Sequence, residues 1–179
     1  STKEKERLRK EIEREFPGRQ VSKNDLIRFK LYKELAKNGF KTLYSNTFIP
    51  LESVFSKDFE IEHMIPKALI FDDSMSNKTL EVHSANQDKS KMTAYDYMAT
   101  LGEAKLDEYE KRVKDLFAKD DKKKGKLKYL LMKQSEIPSD FLNRDLRETQ
   151  YIARKAKEML LSIVRSVICT TGSVTDRLS

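Results

Sequence analysis

Apolar residues recur at helical spacing over most of this chain and at short, interrupted spacing over one stretch near its middle. Residues 2–15 are almost wholly Lys, Glu and Arg, with Leu8 and Ile12 four apart, which predicts a charged helix carrying a thin apolar stripe. Phe16-Pro17-Gly18 ends it. Ser22 stands as the N-cap of a second helix, in which Leu26, Ile27, Leu31 and Leu35 form the apolar face and Asn38-Gly39 closes the C-terminus. From Phe40 to about Val82, short runs such as FKTLY and FEIEHMI alternate with turns rich in Asn, Ser, Pro and Asp, and this is the only part that reads as strands. Ser84 followed by Gln87 has the form of a capping box and predicts a short helix from Ala85 onward. Beyond Thr93 the pattern predicts helices near 94–100, 103–118, 124–134 and 144–166. Their core faces are Leu106, Tyr109, Val113, Leu116 and Phe117 in one, and Leu146, Ile152, Met159, Leu160 and Ile163 in another. Residues 169–178 read as a strand, a glycine turn and the opening of a helix, so the chain is expected to stop mid-structure.

Composition narrows the setting. The 179 residues make room for one ordinary domain with helical extensions. Hydrophobic residues are 38%, below the roughly 45–50% of an average domain, yet their regular spacing is enough to build a core. Lys plus Arg number 36 against 29 Asp plus Glu, for a net charge of +7. That balance suits an anionic partner such as nucleic acid, or serves solubility alone. The run Lys119-Asp120-Asp121-Lys122-Lys123-Lys124-Gly125 is expected to be a solvated loop. Cys169, the single cysteine, excludes an intrachain disulfide and a zinc site built on paired cysteines, and fits a reducing compartment. No stretch reaches the roughly 18 apolar residues of a membrane span, and the first residues lack the apolar segment of a signal peptide. A cytoplasmic protein with no membrane partner is the expectation.

Only two histidines occur. His63 lies in Asp58-Phe59-Glu60-Ile61-Glu62-His63-Met64-Ile65-Pro66, an alternating strand with a carboxylate just before the imidazole. A neutral imidazole accepts a proton at cellular pH and a carboxylate holds a hard cation, so Glu62-His63 supplies a metal ligand and a base. The same pair also fits a strand whose charges simply face water. Adjacent residues of a strand point to opposite faces, so Glu62 and His63 address one phosphate only where the strand ends or bends, and Pro66 lies close enough to permit that. Asn77 and Asn86 follow His63 in the frame EHMIPKALIFDDSMSNKTLEVHSANQDKSK.

This string resembles the HNH nuclease motif: an acidic residue and His on a first strand, a long loop fixed by a middle Asn, a second strand, then Asn on a short helix. More narrowly, the chain resembles the HNH domain of the CRISPR type II effector, an RNA-guided DNA endonuclease. Leu31-Tyr32 and Leu43-Tyr44-Ser45 resemble that family's segment before the first strand, and Phe141-Leu142-Asn143-Arg144-Asp145-Leu146-Arg147-Glu148-Thr149-Gln150-Tyr151-Ile152 resembles its helix returning toward a second nuclease domain. The resemblance covers about residues 20–179. It implies an α+β fold, mostly helical, around a central ββα-metal motif at about 58–91. It further implies a charged linker helix at 1–20, an HNH domain at 21–150, and at 151–179 a C-terminal linker helix with the start of a strand of a neighbouring RuvC-type domain.

The resemblance also implies the chemistry. Mg²⁺, for which Mn²⁺ substitutes, would be held by Glu62 and Asn86, two oxygen donors being sufficient for an ion that keeps waters and takes a phosphate oxygen. His63 would be the general base, and with Glu62 and Asn86 it completes the catalytic set. Asn77 is expected to structure the loop by bonding local backbone, and Lys89 is the candidate phosphate contact. The substrate would be the DNA strand paired with guide RNA, cut to leave a 3′-hydroxyl. The remaining lobes of one monomeric bacterial effector of antiviral defence would be the other partners. Glu62 departs from the Asp of many members, and Thr42 stands near where some carry Cys, so no structural zinc is implied. Glu60 shares the face of Glu62 in a supporting or solvated position. Tyr95 and Tyr97 are expected to pack, and the pattern assigns His83 no role. Two other readings remain: a free-standing HNH nicking endonuclease, and a non-catalytic basic helical module that binds nucleic acid or protein.

Overall fold

The computed structural model describes residues 1–138 and 157–165. Helices form at α1 (Thr2–Glu15) and α2 (Lys23–Glu34), then strands β1 (Phe59–His63) and β2 (Lys78–Val82), then α3 (His83–Lys89), α4 (Ala94–Thr100), α5 (Glu103–Phe117) and α6 (Lys124–Leu130). A further helical segment occupies residues 157–165. The class is α+β, mostly helical, with β1 and β2 paired antiparallel as a two-stranded sheet.

Local chemistry sets the helix ends. Ser22 and Asp25 cap α2 reciprocally: the Asp25 amide donates to Ser22 Oγ at 3.1 Å and the Ser22 amide to Asp25 Oδ2 at 3.2 Å. Arg19 forks onto the same carboxylate at 2.9 and 3.0 Å. After α2 a single 3₁₀ turn ends at Gly39, whose φ of 62° is the left-handed conformation that glycine adopts without steric cost. In α1 the buried residues are Leu8 and Ile12, the thin stripe read from the sequence.

Among the described residues two apolar clusters form. The larger gathers Ile12, Phe29, Leu31, Leu43, Leu80 and Tyr109 with their neighbours, so that α1, α2, β2 and α5 share one core. Each such side chain contributes about 1.5–3 kcal/mol by leaving water. The smaller joins Ile65, Leu69 and Ile70, in the loop after β1, to Tyr129, Met132, Leu160 and Val164. That loop is therefore packed between α6 and the segment 157–165.

Several expectations are corrected. FKTLY forms no strand, only the isolated bridge Lys41 to Phe48. The buried Glu81 carboxylate instead gathers this segment, accepting from the Tyr44 and Ser45 amides at 2.8 and 3.1 Å and from Ser45 Oγ at 2.7 Å. Helix α3 begins at His83 rather than Ala85, and Val82 occupies the N-cap with no side-chain bond, so Ser84 caps nothing. Helix α6 ends at Leu130, and Gln134–Glu136 is a separate 3₁₀ turn. The run 119–125 is not wholly solvated. It folds into the turn Asp121–Lys123 and the start of α6, Lys124 is buried, and Lys123 pairs with Glu34 at 2.5 Å. Met159, expected in the core, is 53% exposed, whereas Leu160 is buried. Leu146, Ile152 and the strand expected at 169–178 lie outside the described residues.

Candidate active site

The register of the sheet opposes Glu60 to Glu81, Glu62 to Thr79 and His63 to Lys78. Alternation along β1 sends Phe59 and Ile61 into the larger core, while Glu60 and Glu62 meet side chains of α3. The adjacent acid and histidine are accordingly served by different partners.

Glu62 is buried. Its Oε2 accepts from the Tyr44 hydroxyl at 2.8 Å and its Oε1 from Lys89 Nζ at 3.0 Å. Burial pushes this carboxyl above its ordinary value, with the Lys89 ammonium and the Tyr44 hydroxyl opposing the shift. Lys89 is itself fully buried, and burial lowers its affinity for the proton while Glu62 raises it. Its second bond goes to the His63 carbonyl at 2.9 Å, so it ties α3 to the end of β1 and presents no ammonium to solvent. The expectation that Lys89 touches phosphate is not met, because desolvating an ammonium is tolerable only with such partners.

The structure does not bring Asn86 to Glu62. The Asn86 amide donates from Nδ2 to Glu60 Oε2 at 2.7 Å, and His83 Nδ1 pairs with the other oxygen of Glu60. The Asn86 bond, with His83 and Arg28 nearby, holds the Glu60 carboxyl below its ordinary range against a partial desolvation. Glu60 and His83, for which the pattern assigned a supporting position and no role, thus form one cluster with Asn86. Neither pairing carries a sequence signal, since each spans more than 20 residues.

His63 closes β1 with its side chain 23% exposed, and Nε2 stands 2.8 Å from Asp73 Oδ1. Lys78 and Lys67 reach the same oxygen at 3.4 and 3.7 Å. The loop between the strands is held by Asn77, which is fully buried. Its Oδ1 accepts from the Ile65 amide at 2.8 Å, and its Nδ2 donates to the carbonyls of Ile65 and Asp72, both at 2.9 Å. Tyr97 packs edge-on to Tyr44, and Tyr95 donates to Glu110 at 3.0 Å on the partly buried surface of α5.

Comparison with known proteins then bears on the whole arrangement. A family model described as HNH endonuclease matches residues 42–95, and one described as RuvC endonuclease subdomain 3 matches residues 136–179. Residues 42–95 are an HNH endonuclease segment. That match contains β1, the Asn77 loop, β2 and α3, and with them Glu60, Glu62, His63, Asp73, Asn77, His83, Asn86 and Lys89. The "CRISPR-associated endonuclease Cas9" of Staphylococcus aureus is 32% identical over 133 residues, covering 70% of this chain and 13% of that protein. "CRISPR-associated endonuclease Cas9 1" of Streptococcus thermophilus is 30% identical over 125 residues, covering 66% and 11%. The chain therefore spans about an eighth of the length of these curated relatives. Among solved structures, Streptococcus thermophilus Cas9 in complex with the AGAA PAM superposes with a TM-score of 0.57 at 19% identity, covering 97% of this chain and 17% of that one. The Type II-C Cas9 enzyme from Actinomyces naeslundii gives 0.56 at 17% identity, with the same coverage. At such identity these neighbours speak for the fold alone. Together the findings support an HNH-containing fragment of a type II CRISPR effector, and a nuclease. Among the described residues no helix is long and apolar enough to cross a membrane.

Proposed function

We propose that this HNH chain hydrolyses the DNA strand paired with a guide RNA, as the cutting domain of a larger RNA-guided effector whose other lobes select the target. In this reading residues 1–20 and 151–179 are its connectors to a RuvC-type domain, and 21–150 is the nuclease. The observation that carries it is His63: a partly exposed imidazole at the end of β1, held by a carboxylate and flanked by Lys67 and Lys78, within the span that matches HNH endonucleases.

By donor type the residues suit a hard divalent cation, Mg²⁺ with Mn²⁺ as substitute, whose capture would draw Asn86 from Glu60 and Glu62 from Lys89. Glu60, Glu62 and Asn86 offer only oxygen donors, and among the described residues no three carboxylate, imidazole or thiol groups form a ready cage. Mg²⁺ commonly needs no such cage, taking one or two protein oxygens and completing its shell with water and phosphate. Glu62 and Asn86 would hold it, with Glu60 beside them, and capture competes with the Lys89 ammonium for the Glu62 carboxylate. Bound there, the cation supplies charge stabilisation at the phosphate and at the leaving oxygen. His63 takes a proton from the attacking water, whose oxygen bonds to phosphorus as the bond to the 3′ oxygen breaks. Asn77 keeps the loop folded under His63, and Lys89 fixes the carbonyl of His63 and the carboxylate beside it.

The test is cutting of a labelled DNA duplex and of an RNA–DNA hybrid by this chain at high concentration, with Mg²⁺ or Mn²⁺, beside His63→Ala. Metal-dependent cleavage that falls by about 10²-fold or more in the variant is the expected result. Absence of both cleavage and Mn²⁺ binding in the unaltered chain would overturn the reading in favour of a non-catalytic binding module.

A further inference from the structure

We infer that Asp73 is the positioning residue of His63: its carboxylate holds the Nε2–H of the imidazole and leaves Nδ1 as the nitrogen that receives the proton. The inference rests on the nuclease reading for its catalytic meaning and on geometry for its existence. An ionised carboxylate is an acceptor only, so at 2.8 Å from Asp73 Oδ1 a neutral imidazole must carry its hydrogen on Nε2. The lone pair is then on Nδ1, the opposite side of the ring.

The loop that carries Asp73 is braced on both sides of it. Asp72 accepts from the Ser74 amide at 2.9 Å with one oxygen, and with the other from the Tyr129 hydroxyl at 2.5 Å and from Lys157 at 3.3 Å. Asn77 takes the Asp72 carbonyl at 2.9 Å. Two anchored neighbours thus fix the backbone from which Asp73 reaches His63, across ten positions of sequence. Its bond to His63 keeps the Asp73 carboxyl below its ordinary value against desolvation, aided by Lys78 and Lys67. The carboxylate is therefore ionised and ready to share the charge that His63 acquires on taking the proton from water. In this division of labour Asp73 never touches substrate. It sets the tautomer and the angle of the ring, and the proton passes from water to Nδ1 while the hydroxide oxygen bonds to phosphorus and the 3′ oxygen leaves.

The experiment records the imidazole ¹⁵N shifts of this chain above the ordinary imidazole pKa of about 6.5, with His83→Gln to assign the second histidine. A fixed Nε2–H tautomer sets Nδ1 and Nε2 of His63 far apart, and in Asp73→Ala the two draw together as the tautomers mix. Asp73 is 54% exposed, so its removal is expected to leave the fold intact, checked by an unchanged circular dichroism spectrum. In the cleavage assay Asp73→Ala is expected to lower kcat about tenfold or more with KM within about twofold, and Asp73→Glu to regain part of the loss. Unchanged nitrogen shifts in Asp73→Ala, or an Nδ1–H tautomer in the unaltered chain, would overturn the inference. A chain that cuts no DNA defeats the nuclease reading instead, while the nitrogen shifts still decide the role of Asp73.

Discussion

Asn77 and Asp72 show how much of this site depends on single polar side chains. Asn77 makes three buried hydrogen bonds to the backbone of one loop, so Asn77→Ala leaves two carbonyls and an amide without partners. The expected cost is about 2–4 kcal/mol, read as a lower urea midpoint at unchanged slope. Asp72 carries a pH dependence whose sign follows from its partners. Burial alone would raise its carboxyl, but the Tyr129 hydroxyl, Ser74 and Lys157 hold it below the ordinary 3.8. A depressed folded value means that this contribution is fully present above about pH 4 and is lost as pH falls through the folded value. Asp72→Asn should lower stability at pH 7 and flatten its acid dependence, measured by denaturation across pH 2–7. The opposite slope in the variant would contradict the assignment.

Among the elements, α2 and α3 make a contrast between two serines that look alike in sequence. Ser22 precedes α2 by the spacing of a capping box and makes it, with Asp25 reciprocating. Ser84 has the same form before Gln87, yet α3 starts two residues earlier than that form predicts, at His83, and Ser84 lies within its first turn. Ser22→Ala is therefore expected to cost about 1 kcal/mol, and Ser84→Ala under about 0.5, by parallel denaturant titrations. The reason is continuity: β2 runs straight into α3, and the pairing of Val82 with Phe59 determines where the strand ends. A capping signal is local, and here a cross-strand contact outweighed it. The same element logic explains Glu62 and His63, since alternation along β1 gives neighbours in sequence different surroundings in space.

At the scale of the molecule, helices distant in sequence are joined by a buried ion cluster and by the smaller core. Lys126, almost wholly buried on α6, pairs with Glu34 of α2, which Lys123 also meets. Removing one partner leaves an uncompensated buried charge, so Lys126→Met alone should cost about 3–5 kcal/mol. The double variant Lys126→Met with Glu34→Leu should recover most of that in the same unfolding assay. Leu160 packs the segment 157–165 onto Ile65, Leu69 and Ile70, next to the loop that holds Asp73. Leu160→Ala is expected to cost about 2–5 kcal/mol and to speed amide exchange at Leu69 and Ile70, whose amides bond the Pro66 carbonyl. Exchange unchanged at those two amides would show that the segment does not brace the loop.

The sequence by itself determined the class, the helices α2, α4 and α5, the thin stripe of α1 and the cap of α2, because these depend on residues within one or two turns of each other. It also offered the residue types on which the candidate site is built, through the resemblance of the frame around His63, Asn77 and Asn86 to the HNH motif. Only the tertiary structure decided which side chains meet. Lys89 went to Glu62 rather than to solvent, Asn86 to Glu60, Asp73 to His63, and the lysines at the start of α6 to Glu34 and the core side. Each of those pairings closes a gap of 10 or more residues. Such contacts follow from how α3, α6 and the Asn77 loop pack on the sheet, and composition, charge and spacing along the chain carry no record of that.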